Sequence, residues 1–122
     1  MTLIFGGAYM GKRDYAKAHC GVTSIETCAE GMPAFDSGCV ASLEQFSLHC
    51  ARQGKDAAAE LAARHAQWKD HVLIARDISC GVVPLEAENR AWRQRTARLC
   101  QYLASEANQV SRIFCGLEQR LK

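Results

Sequence analysis

The hydrophobic positions of the chain fall into short continuous runs and into longer segments where apolar residues recur every three or four positions. Two continuous runs, at Thr2–Phe5 and Val72–Ala75, have the length typical of buried strands, and Val110–Cys115 predicts a last strand. Gly21–Thr27 is rich in branched residues and is bounded by glycine and polar positions, which predicts a further short strand. The pattern therefore predicts strands distributed along the whole chain.

Apolar residues at helical spacing predict helices between these strands. Strands that alternate with helices are typical of an α/β domain with a mainly parallel sheet flanked by helices. We expect one such domain over residues 1–122, because no linker or internal repeat divides the chain. The predicted helices run from Lys12 to about Cys20, from Cys39 to about Gln53, from Asp56 to Trp68 and from about Leu85 to Asn108.

A glycine-rich loop directly follows the first predicted strand, in the opening sequence MTLIFGGAYMGKR. Its Gly6, Gly11 and Lys12 have the order G-x-x-x-x-G-K of a phosphate-binding P-loop. Glycines let backbone N–H groups turn toward a phosphate, and the helix that follows directs its positive dipole end at the same anion. An ordinary tight turn is the alternative, but the lysine at this spacing favours a site for a purine nucleotide, with Lys12 as a catalytic residue. The predicted phosphate-binding residues are Gly6, Gly7, Ala8, Tyr9, Met10, Gly11, Lys12 and Arg13.

Arg13 occupies the position at which a P-loop has the serine or threonine that holds Mg²⁺. A guanidinium beside the phosphates can replace part of the metal's charge, but it cannot coordinate a metal ion. We expect Mg²⁺ with ATP or GTP as the cofactor, with a dependence on the metal that Arg13 weakens.

Asp77 follows the Val72–Ala75 run and is the second predicted catalytic residue. An acidic residue at the end of an apolar strand can hold Mg²⁺ through water, and a simple turn-forming aspartate is the alternative. In parallel sheets, ligands bind beyond the carboxyl ends of the strands. We therefore expect Gly6–Lys12 and the loop Asp77–Pro84 to converge at one edge of the molecule.

Composition excludes several classes of partner. The chain has 48% hydrophobic and 23% charged residues and a net charge of +2, so neither nucleic acid nor a membrane surface is expected as a partner. No apolar run approaches the roughly 20 residues of a membrane span, and the N-terminal run is too short for a signal peptide, which predicts a cytoplasmic protein. The seven cysteines include no C-x-x-C pair, so we expect reduced, packed thiols.

Four segments carry a family resemblance: FGGAYMGK near the N-terminus, DISCGVVP at 77–84, the helical ENRAWRQRTARLCQYLA and the final VSRIFCGLEQRLK. Together they resemble the adenosylcobinamide kinase/adenosylcobinamide-phosphate guanylyltransferase family, whose members have a GGARSGKS-like P-loop, an acidic residue before a V-G-x-G-[IV]-V-P turn and a V-x-x-V-x-x-G-x-P-x-x-[LI]-K end. The resemblance implies a three-layer fold like that of the P-loop NTPases and a homotrimer. It also implies cobalamin biosynthesis or salvage, in which ATP or GTP phosphorylates the aminopropanol hydroxyl of adenosylcobinamide, a corrinoid.

The chain departs from the family pattern in its shortened middle. That interval carries the family's R-I-x-x-H-R-x-x-R helix, whose histidine accepts GMP, whereas Ala63–Trp68 lacks the arginines and directly precedes a strand. His65 is expected to pack on the apolar face of its helix, and Glu118 replaces the family's final proline. We therefore expect guanylyl transfer to be lost. The alternative is a non-catalytic relative that binds a nucleotide or corrinoid in a regulatory or structural role.

Overall fold

The computed structural model of the chain describes residues 1–29, 31–78 and 87–122. Within these residues six strands form one sheet in the order β2-β3-β4-β1-β5-β6. The first five strands are parallel to their neighbours, and β6 pairs antiparallel with β5. The strands are β1 (Thr2–Gly6), β2 (Glu26–Thr27), β3 (Cys39–Ala41), β4 (Val72–Arg76), β5 (Gln109–Phe114) and β6 (Leu117–Arg120).

Helices cover both faces of this sheet. Alternate residues of a strand point to opposite faces, so Leu3 and Ile4 of β1 belong to different apolar clusters. The cluster of Leu3 includes residues of four of the helices, such as Phe46 and Leu99, and the cluster of Ile4 includes Ala16 of the first helix. The result is the predicted three-layer α/β fold. The helices are α1 (Lys12–His19), α2 (Leu43–Arg52), α3 (Ala57–Ala62), α4 (His65–Trp68) and α5 (Ala87–Glu106).

The predicted helix from Cys39 is wrong in its first turn, because Cys39–Ala41 forms β3. All three of these residues are buried, as expected for a strand inside a sheet that is covered on both faces. Ser42 then adopts a left-handed backbone conformation with φ 62°, and α2 begins at Leu43. The strand predicted at Gly21–Thr27 is reduced to the two residues of β2.

The predicted helix from Asp56 to Trp68 consists of two short helices, α3 and α4. Asp56 caps α3 as expected, since its carboxylate accepts a hydrogen bond from the backbone N–H of Ala58 at 3.3 Å. Trp68 is buried, and its indole N–H donates to the Leu61 carbonyl at 2.8 Å. The ring of His65 packs edge-on against Trp68 with 4.7 Å between the ring centroids, as expected, but its side chain is 47% exposed.

The predicted final strand is followed by a further strand, β6, which forms a hairpin with β5 across Cys115 and Gly116. All four residues of β6 are exposed, so this strand has no apolar pattern by which it could be predicted. Among the described residues, no helix has both the length and the apolar character needed to cross a bilayer. The six described cysteines are free thiols, and Cys80 lies outside the described residues.

Candidate functional site

The glycine-rich loop joins the carboxyl end of β1 to the start of α1, as predicted. Position 6 must be glycine because β5 lies close to it: a Cβ at this position would overlap the backbone oxygen of Ile113 in β5. Gly11 precedes α1 with φ 93°, a conformation that favours glycine. Between them Tyr9 is fully exposed and also has a positive φ of 60°. Two glycines and one strained residue therefore set the path of the loop.

The β5–β6 turn supports the loop from outside. The backbone N–H of Gly116 donates to the carbonyl of Met10 at 2.9 Å, and the N–H of Cys115 donates to the Met10 sulfur at 3.3 Å. Cys115 itself has a positive φ of 50°. The hairpin that the sequence did not predict thus holds one residue of the predicted phosphate loop.

Lys12 lies at the start of α1 with its amine turned into the loop. Its Nζ donates to the carbonyl of Gly7 at 2.6 Å. Partial burial lowers the pKa of this amine below its ordinary value; the charge of Glu44 acts in the opposite direction, and the charges of Arg76 and Arg13 lower the pKa further. The Lys12 amine therefore lies within a group of charged side chains.

A cavity of about 680 Å³ opens beside the loop, where the carboxyl ends of β1, β3 and β4 meet. This volume is in the range of pockets that hold small-molecule ligands. Its position agrees with the expected location of ligands in parallel α/β sheets. The lining residues are Ala8, Tyr9, Met10, Gly11, Lys12, Arg13 and Asp14 from the loop and α1, with Ala41, Ser42, Glu44, Gln45, Ile74 and Arg76 from the other elements.

Arg13 lies on the rim of this cavity, and its guanidinium extends toward the ends of β2 and β3. It donates to the hydroxyl of Thr27 at 3.0 Å and to the hydroxyl of Ser42 at 3.4 Å. The side chain is exposed, so its charge is accessible to an anion in the cavity. The residue at the usual position of a metal-binding hydroxyl is therefore a cation anchored by two hydroxyl groups.

Glu44 is a residue of the cavity that the sequence did not predict. Its side chain is only 5% exposed, and its Oε1 accepts a hydrogen bond from the backbone N–H of Arg76 at 2.8 Å. The carboxylate thus joins the first turn of α2 to the end of β4. A sequence signal exists, since an acid closely follows the buried run Cys39–Ala41, but the prediction of a helix from Cys39 concealed it.

Asp77 meets the loop through its backbone, whereas its side chain lines a different cavity. Its N–H donates to the Gly6 carbonyl at 2.7 Å, so the two predicted segments do converge. The position of the Asp77 side chain follows from the alternation of residues along β4, of which Ile74 and Arg76 line the loop cavity. Asp77 lies two residues beyond Ala75, which is buried on the other face of the sheet, and lines a groove of about 140 Å³ beside α5. Among the described residues, the two predicted segments therefore converge at one edge of the sheet, and the side chain of Asp77 lines a groove of its own there.

Of the described cysteines, Cys100 lines the groove beside α5. Burial raises the pKa of this thiol to about 11, and the negative charges of Asp77 and Glu44 add to the effect. Cys100 therefore stays protonated at neutral pH. The rest of the predicted loop, Ser79–Pro84, lies outside the described residues.

His65 lies at the opposite end of the sheet from the phosphate loop. Its Nε2 is 3.5 Å from the carboxylate of Glu106, at the C-terminal end of α5. Just beyond, the side chain of Asn108 accepts a hydrogen bond from the amino group of Met1 at 2.8 Å, at the start of β1. The loop follows the other end of β1, so His65 is remote from the cavity.

The comparisons with known proteins identify one family. A family model described as cobinamide kinase / cobinamide phosphate guanyltransferase matches residues 38–121, which is more than half of the chain. The match includes Glu44, Asp77 and α5, and it begins after the glycine-rich loop. No curated protein matches the chain.

Proposed function

Because this chain belongs to the cobinamide kinase / cobinamide phosphate guanyltransferase family, we propose that it binds a purine nucleoside triphosphate at Gly6–Lys12. In this proposal the protein transfers the γ-phosphoryl group to the aminopropanol hydroxyl of a cobinamide in cobalamin biosynthesis. The nucleotide phosphates bind to the backbone N–H groups of the loop and to Lys12, and the acceptor hydroxyl enters from the open side of the cavity.

The observation that carries this proposal is the position of Lys12. Its amine is 2.6 Å from a carbonyl of its own loop, at the wall of a cavity large enough for a nucleotide. A phosphate oxygen can replace that carbonyl as the acceptor with a small movement of the side chain. Charge-assisted hydrogen bonds to a phosphate are stronger than a bond to a neutral carbonyl, which favours the exchange.

Positive charge around the cavity supports phosphoryl transfer as the reaction. Lys12, Arg13 and Arg76 all line it, and phosphoryl transfer depends mainly on positioning and on stabilising negative charge. The test is incubation with γ-labelled ATP or GTP and cobinamide. We expect label in cobinamide phosphate; nucleotide binding without any transfer would favour the alternative below.

Arg13, at the position of the metal-binding hydroxyl of a P-loop, cannot be a ligand of Mg²⁺, because a guanidinium has only hydrogen-bond donors. The Glu44 carboxylate accepts a backbone hydrogen bond at Oε1. Among the described residues, no group of three or more His, Cys, Asp or Glu side chains could hold a metal ion. Metal binding at Asp77, whose side chain lines a separate groove, stays a prediction.

We predict that nucleotide binding depends only weakly on Mg²⁺ and that Arg13→Ser increases this dependence. The serine would restore an oxygen ligand and remove a charge that neutralises phosphate. Calorimetric titration with ATP and GTP, with and without Mg²⁺, measures the effect. Arg64→Ser, an exposed arginine beside α4, is the control and should behave as the wild type. Wild-type binding that requires Mg²⁺ would contradict the prediction.

A second candidate function is a non-catalytic relative that binds the nucleotide or a corrinoid and acts as a regulator. Arg13 at the metal position favours it, since the loss of one hydroxyl ligand can be costly for the reaction. The retained Lys12 and its cavity favour the enzyme. The transfer assay separates the two, because both hypotheses predict binding and only one predicts labelled product.

We predict that guanylyl transfer is lost. A covalent GMP intermediate requires a histidine close to the α-phosphate, and the residues that line the described cavity include no histidine. Incubation with GTP labelled in the α-phosphate and guanine should leave no acid-labile GMP on the protein. Stoichiometric labelling that disappears in His65→Ala would contradict both this prediction and the remote position of His65.

A further inference from the structure

Glu44 is the buried acid of a cavity whose other charged side chains are mainly cations. Its side chain is 5% exposed, whereas Asp14, the other acid that lines the cavity, is exposed on α1. Lys12, Arg13 and Arg76 supply the positive charges. A buried charge is screened less by solvent than an exposed one, so Glu44 has the stronger electrostatic influence inside the cavity.

Two other elements hold Glu44 in place. Its Oε1 accepts the backbone N–H of Arg76 at 2.8 Å, and its carbonyl accepts the indole N–H of Trp92 from α5 at 2.7 Å. Nearby, the buried hydroxyls of Ser47 and Thr96 share a hydrogen bond of 2.8 Å between α2 and α5. The carboxylate therefore has a fixed position relative to the loop, as preorganised electrostatic groups require.

We propose that Glu44 is a positioning residue for Lys12: its fixed negative charge, in the cavity that Lys12 also lines, favours the charged form of the lysine amine, which is the form that binds phosphate. This inference rests on the proposed function, in which Lys12 binds phosphate. Without Glu44, burial and the charges of the arginines would both lower the pKa of the Lys12 amine.

The charged groups around Lys12 support this role for Glu44. The charged residues that line the cavity with Lys12 are Arg13 and Asp14 of α1, Arg76 of β4 and Glu44 of α2. Burial and the two arginines lower the pKa of Lys12, and Glu44 is the group that raises it. The phosphate-binding form of Lys12 is lost as the pH rises through this pKa, so removal of Glu44 should move that loss to lower pH.

The test is a titration of Lys12 without nucleotide, followed by NMR of the lysine ¹³Cε resonance, which is assigned by its absence in Lys12→Arg. We expect the resonance to titrate at lower pH in Glu44→Gln than in the wild type. The glutamine retains an oxygen that can accept the Arg76 N–H, so mainly the charge changes. Asp14→Asn is the matched control and should leave the titration unchanged. Identical titrations in Glu44→Gln and the wild type would overturn the proposal.

Glu44→Asp keeps the charge on a shorter side chain. We expect its titration to lie between those of the wild type and Glu44→Gln, and this variant decides the question if circular dichroism shows that Glu44→Gln does not fold. The proposal fails if Lys12 titrates at lower pH in Glu44→Asp than in a folded Glu44→Gln. It also fails if only Glu44→Asp folds and Lys12 titrates in it at the same pH as in the wild type.

Nucleotide binding is then measured separately, so that the two proposals can fail independently. A wild type that binds no nucleotide would contradict the proposed function and leave the Lys12 titration valid. If Glu44→Gln instead changes the Mg²⁺ dependence of binding while Lys12 titrates as in the wild type, Glu44 is a metal ligand and the proposal fails.

Discussion

Lys12→Ala is expected to weaken the binding of ATP or GTP by roughly ten- to a hundredfold, which corresponds to the loss of one charge-assisted hydrogen bond to phosphate. The reason is the position of the amine, which lies within the loop and points into the cavity. Isothermal titration calorimetry with each nucleotide measures the change. Because Lys12 contributes little to the apolar clusters, the thermal unfolding temperature should change far less than the affinity.

The matched control for this prediction is Lys17→Ala. Lys17 lies in the last turn of the same helix and is exposed, so its removal changes the net charge equally without touching the loop. We expect nearly wild-type affinity. Equal affinities for Lys12→Ala and the wild type would mean that the loop is only a tight turn between a strand and a helix.

Gly6→Ala is expected to lower the free energy of unfolding by roughly 3 kcal/mol and to abolish nucleotide binding. The added methyl group would overlap the backbone oxygen of Ile113, and a backbone atom in the middle of a sheet cannot move aside as a flexible side chain can. Relief requires β1 and β5 to separate, which breaks their parallel pairing. Urea denaturation followed by circular dichroism measures the loss.

Gly7→Ala is the control, because a Cβ there would meet only the Met10 side chain, at an ordinary contact distance of 3.5 Å. It adds the same methyl group one residue later, and we expect stability close to that of the wild type. If Gly6→Ala is as stable as Gly7→Ala, the close approach between Gly6 and Ile113 does not constrain the loop.

The strands beside the loop and the loop itself could be predicted from sequence because their signals are local. Thr2–Phe5 and Val72–Ala75 are continuous apolar runs with no helical alternative of comparable length. The P-loop spacing from Gly6 to Lys12 specifies a backbone path within a few residues. Both features depend on chain neighbours, so they do not require knowledge of tertiary contacts.

The start of α2 could not be predicted because Cys39 satisfies two patterns at once. It belongs to a continuous buried run with Val40 and Ala41, and it also lies four residues before Leu43, at helical spacing. Only the sheet decides between them, since Val40 pairs with Leu73 of β4 and with Glu26 of β2. Tertiary pairing overrides a local periodicity of this length.

The division of acids between two cavities depends on strand register. Asp77 was expected at the same edge of the sheet as the loop; strand alternation directs its side chain to the α5 side, and Glu44 of α2 supplies the buried carboxylate of the loop cavity. The alternation of side chains between the two faces of the sheet along β4 could have indicated the face on which Asp77 lies. The approach of Glu44 could not be predicted, because it depends on how α2 packs against the end of β4.

The turn at Cys115 and Gly116 has a consequence for protein synthesis. These residues hold Met10, more than one hundred positions earlier in the chain, and β1 pairs with β4 and β5 on its two sides. When only the first half of these 122 residues has left the ribosome, the loop has neither its supporting turn nor either of the strands that flank β1. Contacts between residues so far apart in the sequence form late, and they lower the rate of folding. Within this domain, the segment that is translated earliest is thus among the last to acquire its final structure.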